Sequence, residues 1–204
     1  MTPPYVVSAA RRLRERIRGE RLFDGDDEAF KRIASRSRVY GEYGSGTSTI
    51  WMLENTSALV LSVDSSEEWT STVRARSGHS DRLLAHWVDL GPIGRWGRPL
   101  GYSHRDRFSE YADWIWRQDE RPDLVLVDGR FRVACFLTAL YEADPGTYIV
   151  FDDYTSRPHY HVVEEFVSPE IRSGRQAIFT VPKLGAAKRE AVANLRDAFR
   201  LVLD

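Results

Sequence analysis

The chain alternates short apolar runs with longer stretches in which apolar residues recur at helical spacing. Each run is rich in β-branched residues and is followed by a helix-compatible segment or by a connection to one. Strands that alternate with helices predict a parallel sheet covered on both faces and built through right-handed crossovers. The predicted strands cover residues 37–42, 59–63, 85–89, 124–127 and 148–151.

The two ends of the chain are predicted to be helical. Residues 4–35 have a helical pattern that breaks near Gly25, and the segment after Pro182 is amphipathic. The last strand, near QAIFTVP, is expected to be antiparallel at an edge of a sheet of six or seven strands. We predict one domain over residues 1–204, with a helical segment at 1–36, a doubly wound Rossmann-like α/β core at 37–182 and a closing helix at 183–204.

Composition narrows the classes of function. The 204 residues are 42% hydrophobic, which suffices for the core of one α/β domain. A formal net charge of −1 argues against general affinity for nucleic acid, and acidic residues interleave with the arginines of residues 11–21, as on a solvated helix face. The single cysteine, Cys135, lies in an apolar run and is expected to be a core thiol.

The chain shows no sign of membrane insertion or export. No window is apolar enough to cross a bilayer, and the amino terminus lacks the basic region of a secretory signal. We therefore expect a cytoplasmic protein that acts on a small molecule, without nucleic acid or membrane as partner. A homo-oligomer is compatible with these features.

The stretch VYGEYGSGTST, residues 39–49, places three glycines between a predicted strand and a helix that opens at Thr47. Glycine at such a turn lets the backbone approach a bound nucleotide, and the helix amino terminus offers free N–H groups. A dinucleotide fingerprint would need a further glycine three positions after Gly46, where Thr49 stands, so NAD is disfavoured. A plain tight turn is the alternative to a ligand site.

The pattern formed by Glu42, Gly44, Gly46 and Ser48 resembles the first motif of class I S-adenosylmethionine-dependent methyltransferases. This resemblance implies a methyltransferase form of the Rossmann-like sheet and S-adenosylmethionine as cofactor. It associates the acidic residue with the methionine ammonium group, and it implies that the glycines make room for the methionine part of the cofactor.

A second acidic residue ends the next predicted strand. Asp64 follows ALVLSV, and a carboxylate at that place can accept hydrogen bonds from both ribose hydroxyls. Asp64 could instead cap the following helix, whose start at Ser65 and Glu68 has capping-box spacing, and the two roles are compatible. The resemblance places Asp89 near the adenine amino group, with Trp96 as a stacking partner.

Three further aspartates follow the fourth and fifth predicted strands. Asp128 ends the fourth, and Asp152 with Asp153 ends the fifth. Adjacent parallel strands bring their carboxyl ends together, so these carboxylates should converge and need a proton or a cation to relieve their repulsion. Oxygen ligands of this kind suit Mg²⁺. Alternatively, Asp152 or Asp153 caps a helix after Pro158 or pairs with Arg157.

This arrangement resembles Mg²⁺-dependent O-methyltransferases of the catechol type and, more closely, of the macrocin type, which act on sugar hydroxyls. The resemblance runs from about Ser37 to Pro182, with short motifs. It implies that Glu42, Gly44, Gly46 and Asp64 bind the cofactor. It also implies that the three aspartates hold a metal that orients a substrate hydroxyl and lowers its pKa for attack on the methyl group.

The sequence departs from that pattern at the expected base. Catechol-type enzymes place a lysine where Phe131 stands, and macrocin-type enzymes tend to have an aspartate where Arg130 stands. His159 or His161 could take the proton instead. Arg130 and Arg132, with the arginines of the irregular 90–107 loop, suit a substrate that carries carboxylate or phosphate. The alternative function is a non-catalytic protein that binds S-adenosylmethionine or a nucleotide with the same fold.

Overall fold

The computed structural model describes residues 22–23 and 27–203. The helix α1 (Glu28–Ala34) is the described part of the predicted amino-terminal helical segment. The rest of that segment, with the predicted break at Gly25 and the arginine-rich face at residues 11–21, lies outside the described residues.

Seven strands form one sheet in the order β3-β2-β1-β4-β5-β7-β6. The first five in this order are parallel, β7 is antiparallel to β5, and β6 forms a hairpin with β7. The strands are β1 (Val39–Tyr43), β2 (Leu59–Asp64), β3 (Leu83–Trp87), β4 (Leu124–Val127), β5 (Tyr148–Phe151), β6 (Ile171–Ser173) and β7 (Gln176–Thr180).

Within the described residues, five further α-helices connect and close the sheet. They are α2 (Thr47–Asn55), α3 (Glu67–Arg76), α4 (Phe108–Asp113), α5 (Arg132–Glu142) and α6 (Ala186–Phe199). The predicted α/β sheet, mostly parallel with an antiparallel edge, is confirmed. Among the described residues, no helix combines the length and the apolar character needed to span a bilayer.

The core has a layer on each face of the sheet. On one face α5 is buried along most of its length and packs with α6, and Cys135 is fully buried there, as predicted. On the other face Phe30 of α1 and Met52 of α2 pack against alternate residues of the central strands. All residues of β1 and β4 are buried because helices cover both faces.

Three local predictions were wrong. The strand near QAIFTVP is β7, which lies between β5 and β6 and not at the edge of the sheet. The third strand was predicted at 85–89 but covers Leu83–Trp87. Val88 and Leu90 prolong the apolar pattern because they are buried beyond the end of the strand. The cap of α3 is Ser66, whose Oγ accepts a hydrogen bond from the Trp69 amide at 3.3 Å, rather than Ser65. The Ser65 hydroxyl instead donates to the carbonyl of Gly97 at 3.0 Å.

Candidate functional site

The winding direction of the chain reverses in the middle of the sheet. The strands β1 and β4 lie side by side, with β2 and β3 on one side of them and β5 on the other. In open α/β sheets, ligands bind beyond the carboxyl ends of the strands at such a reversal. The turn at residues 44–46, which leads from β1 into α2, therefore lies at the crevice expected to bind a ligand.

Gly44 lets two backbone segments touch at this crevice. Its φ is +99°, and a Cβ built on it would lie 3.0 Å from the Asp128 carbonyl oxygen and from backbone atoms of Gly129. The same contact requires Gly129, where a Cβ would lie 2.8 Å from the Gly44 nitrogen and 2.1 Å from the Tyr111 hydroxyl. Gly129 was missed in the sequence, although it directly follows the predicted strand end at Asp128.

Gly46 has the opposite environment. A Cβ built on it would meet no atom within 4 Å, so the backbone borders open space. Its amide donates to Thr49 Oγ1 at 2.8 Å at the start of α2. Open space against a glycine at a helix amino terminus fits the predicted approach of a ligand to this turn.

Glu42 lies on β1 just before the turn, and its predicted contact with the cofactor stays a prediction. Its carboxylate is fully buried and accepts hydrogen bonds from the hydroxyls of Tyr40, Ser48, Thr49 and Ser62. Burial raises the pKa of Glu42, and these hydroxyl donors oppose that rise. Ser48, also predicted as a cofactor residue, uses its hydroxyl in this network.

Asp64 joins the glycine turn to the start of α3. Its Oδ2 accepts from the Ser45 amide at 2.7 Å, and its Oδ1 accepts from the Ser66 amide at 2.7 Å. Burial raises the pKa of Asp64 to about 6, and the backbone donors and Arg130 offset part of the effect. Asp64 thus bonds to the N-cap residue of α3 and is not the cap itself, and each of its carboxylate oxygens still has a lone pair for a ribose hydroxyl.

The 90–107 loop packs onto the end of β2. A Cβ on Gly97 would lie 2.5 Å from Ser65 Oγ, and Trp96 is 59% exposed on the short turn Arg95–Gly97. Asp89 is held at the root of the loop, where its Oδ1 accepts from the Gly91 amide at 3.0 Å and faces His104 Nδ1 at 3.2 Å. The Gly91 hydrogen bond lowers the pKa of Asp89.

The three predicted metal ligands do converge. One carboxylate oxygen from each of Asp128, Asp152 and Asp153 lies within 4.8 Å of the others. Burial, followed by the nearby charge of Asp152, raises the pKa of Asp128. The predicted pairing of Asp153 with Arg157 is also present, with Arg157 Nη2 donating to Asp153 Oδ2 at 2.7 Å.

Arginines face the same carboxylates from inside the fold. Arg132 is 5% exposed; its Nη2 donates to Asp128 Oδ1 at 2.9 Å, and its Nη1 donates to Asp153 Oδ2 at 3.2 Å. It also donates to the backbone carbonyls of Gly129 and Asp152. The guanidinium of Arg132 thus bonds within the protein, and its predicted role in binding substrate stays a prediction.

Arg175 and Gln176 complete the surroundings of Asp152. Arg175 Nε and Gln176 Nε2 donate to Asp152 Oδ1 at 2.9 and 3.0 Å, and Arg175 Nη2 donates to Oδ2. The antiparallel register, which pairs Phe151 with Ala177, brings these residues together. Both were missed because the contact depends on strand pairing and no local motif marks it.

Comparison with known proteins identifies the fold. No protein-family model matches the chain, and no curated protein is significantly similar to it. A solved structure, a methyltransferase-like protein from Silicibacter pomeroyi DSS-3, matches with a TM-score of 0.70 and 29% identity over 96% of each chain. This chain has the fold of class I methyltransferases.

A more distant structure agrees with this assignment. The N-methyltransferase NodS from Bradyrhizobium japonicum WM9, in complex with S-adenosylhomocysteine, has a TM-score of 0.50 and 13% identity. The match covers 85% of this chain and 98% of that chain. At this identity the likeness concerns the fold alone.

The remaining predicted site residues are Arg130, His159 and His161. The positive charge of Arg130 acts on Asp64, so Arg130 lies on the glycine-turn side. His161 Nε2 donates to the Tyr154 carbonyl at 3.1 Å, whereas His159 is exposed beside Tyr160. Within the described residues, neither histidine shares a hydrogen bond with the three aspartates. Their role as proton acceptor stays a prediction.

Proposed function

We propose that the protein binds S-adenosylmethionine in the crevice between β1 and β4 and methylates a hydroxyl group of a small anionic molecule. The observation that carries this proposal is the position of the glycine turn at the reversal of the sheet, beside the carboxylate of Asp64. The solved methyltransferase-like structure with 29% identity supports it.

The residues around the turn fit the parts of this cofactor. Gly46 borders open space that suits the methionine part, and Asp64 has lone pairs for the ribose hydroxyls. Trp96 offers an exposed aromatic face on the adenine side, with Asp89 at the root of the same loop. When bound, S-adenosylmethionine supplies a methyl group made electrophilic by its positively charged sulfur.

The charge around the crevice supports an anionic substrate. Arg130 lies on the glycine-turn side, and the 90–107 loop carries Arg95, Arg98, Arg105 and Arg107. Guanidinium groups bind carboxylate and phosphate through paired hydrogen bonds. For the acceptor hydroxyl, His161 is the proposed proton acceptor, since donation by Nε2 leaves Nδ1 as the acceptor of the neutral ring. His159 is the second candidate for this step.

Magnesium, which was predicted from the three aspartates, takes no part in the proposed reaction, because arginine side chains already bond to the aspartate oxygens. A second candidate function is binding of S-adenosylmethionine without catalysis. It is favoured by the fully packed Phe131, which stands where catechol-type enzymes have a lysine.

Calorimetric titration with S-adenosylhomocysteine tests the proposed cofactor site. We expect saturable binding to the wild type and a loss of roughly ten- to hundredfold in affinity for Asp64→Asn, because hydrogen bonds to a charged group are lost. The exposed Asp119→Asn is the matched control and should bind as the wild type does.

Two outcomes would count against the proposal. Absence of binding to the folded wild type would refute the cofactor site, and unchanged affinity in Asp64→Asn would remove Asp64 from it. Transfer of labelled methyl groups to hydroxylated carboxylates and phosphates then separates the two candidate functions. Binding without transfer to any of these acceptors would favour the non-catalytic protein.

A further inference from the structure

We propose that Arg132 and Arg175 neutralise the cluster formed by Asp128, Asp152 and Asp153 in place of a metal ion, so that the cluster takes no divalent cation. This inference concerns the internal charge balance of the protein. It therefore holds or fails independently of the cofactor and substrate proposed above.

The first step concerns the hydrogen bonds that Asp152 accepts. Its side chain is fully buried, and both of its oxygens accept hydrogen bonds from Arg175, with Gln176 as a further donor to Oδ1. Two parallel hydrogen bonds from one guanidinium are the strongest common pairing of a carboxylate. A cation at Asp152 would have to displace this pair inside the protein.

The second step is the position of Arg132. Its guanidinium lies between Asp128 and Asp153 and bonds to both carboxylates as well as to backbone carbonyls. Arginine keeps its charge at all accessible pH values, so it cannot make way for a cation by losing a proton. A divalent ion among these oxygens would stand beside a buried positive charge, where the repulsion is poorly screened.

The third step is the backbone that places these groups. Phe131 and Asp153 have φ values of 51° and 58°, in the left-handed region that residues other than glycine rarely adopt. The turn at Phe131 directs Arg132 into the start of α5, and the turn at Asp153 follows β5. The backbone at the ends of both strands thus adopts uncommon conformations beside the ion pairs, which indicates that the arginines are part of the folded structure of the cluster.

The donor set therefore does not fit Mg²⁺, which needs a near-octahedral shell of oxygens at short distance. The oxygens of Asp152 are taken, Arg175 Nη1 also approaches Asp153 Oδ1 at 3.4 Å, and Arg157 bonds to Asp153 Oδ2. We infer that Arg132 and Arg175 are positioning residues that join the ends of β4 and β5 to the start of β7.

Thermal unfolding with and without Mg²⁺ tests this inference on the full chain, with no cofactor added and at constant ionic strength. Wild type should show no saturable rise in Tm up to about 10 mM Mg²⁺, because only binding to the folded state would produce one. Arg175→Gln leaves Asp152 buried without its main partner and should lower Tm by on the order of 10 °C. Mg²⁺ should recover part of this loss.

Arg172→Gln is the matched control. Arg172 belongs to β6, and its Nη2 lies 2.7 Å from Glu164 Oε1, a carboxylate outside the cluster. It should change Tm little and gain no response to Mg²⁺. If Arg175→Gln does not fold, calorimetry of the wild type with Mg²⁺ decides alone. Saturable Mg²⁺ binding to the wild type that Asp152→Asn abolishes would overturn the inference, as would a folded Arg175→Gln protein that Mg²⁺ does not stabilise.

Discussion

Gly44 and Gly46 lie at the start and the end of the turn between β1 and α2. The same substitution, glycine to alanine, can therefore be tested in a crowded and in an open environment. At Gly44 a new methyl group would lie 3.0 Å from backbone atoms of residues 128 and 129, on a residue with φ of +99°. At Gly46 the same group would meet nothing within 4 Å, and the φ of 176° is ordinary extended backbone. Alanine at Gly44 should therefore damage folding, whereas alanine at Gly46 should damage binding.

The expected sizes follow from these contacts. Gly44→Ala adds backbone strain of about 1–2 kcal/mol and overpacking against fixed backbone of about 1–3 kcal/mol, so the free energy of unfolding should fall by roughly 2–5 kcal/mol. For a chain of this size, that loss lowers Tm by on the order of 5–20 °C. Gly46→Ala replaces a glycine at a helix N-cap and should cost no more than about 1 kcal/mol. Its methyl group would occupy the space proposed for the methionine part of the cofactor, so affinity for S-adenosylhomocysteine should fall at least about tenfold.

Both variants are measured by thermal unfolding and by calorimetric titration with S-adenosylhomocysteine. A Gly44→Ala protein as stable as the wild type would refute the close backbone contact between the β1 turn and the end of β4. A Gly46→Ala protein with wild-type affinity would show that the open space at this glycine does not receive the cofactor, even if its stability is as expected.

Three further predictions concern residues around the same turn. Burial raises the pKa of Asp64 from 3.8 to about 6 in the folded state. Between these pH values the folded protein binds the proton more tightly than the unfolded chain does, so the free energy of unfolding should fall by about 3 kcal/mol as pH rises. Urea unfolding between these pH values should show a smaller fall for Asp64→Asn, and equal curves would refute the shift. Glu42→Gln should lower the free energy of unfolding by about 1–3 kcal/mol, because an NH₂ group replaces one of the oxygens that accept from hydroxyls. Urea unfolding at neutral pH measures this loss, and an unchanged midpoint would contradict the hydrogen-bond network around Glu42. Trp96→Ala should weaken binding of S-adenosylhomocysteine by about 1–3 kcal/mol with little change in Tm. The control is Tyr148→Ala, which removes an exposed aromatic ring at the opposite end of the strands and should leave the affinity unchanged. Equal affinities of the two variants would exclude stacking on Trp96.

Features set by local pattern could be predicted from the sequence. Alternating apolar runs identified the five parallel strands, and the helix from Thr47 to Asn55 begins where the glycine turn ends. The three aspartates were expected to converge because parallel strands bring their carboxyl ends to one edge of the sheet, and they do. The strand β6 was missed because three residues are too few for a periodic signal.

Features that depend on tertiary contact could not be predicted in this way. A glutamate before a glycine turn has the same local pattern whatever its partners are, so the buried hydroxyls that bond to Glu42 could not be predicted. Likewise, the contacts of Arg132 with the aspartates could not be predicted, because they depend on burial and strand pairing. Burial decides these roles, and it emerges only once the layers are assembled.

The most direct test of the account is a crystal structure of the protein grown with S-adenosylhomocysteine and Mn²⁺, in which anomalous scattering locates the metal. We predict the ligand over residues 44–46, with its ribose hydroxyls within hydrogen-bond distance of Asp64 and no anomalous peak among Asp128, Asp152 and Asp153. A ligand bound away from the glycine turn would contradict the proposed cofactor site. An ordered Mn²⁺ held by the three aspartates would contradict their neutralisation by arginine.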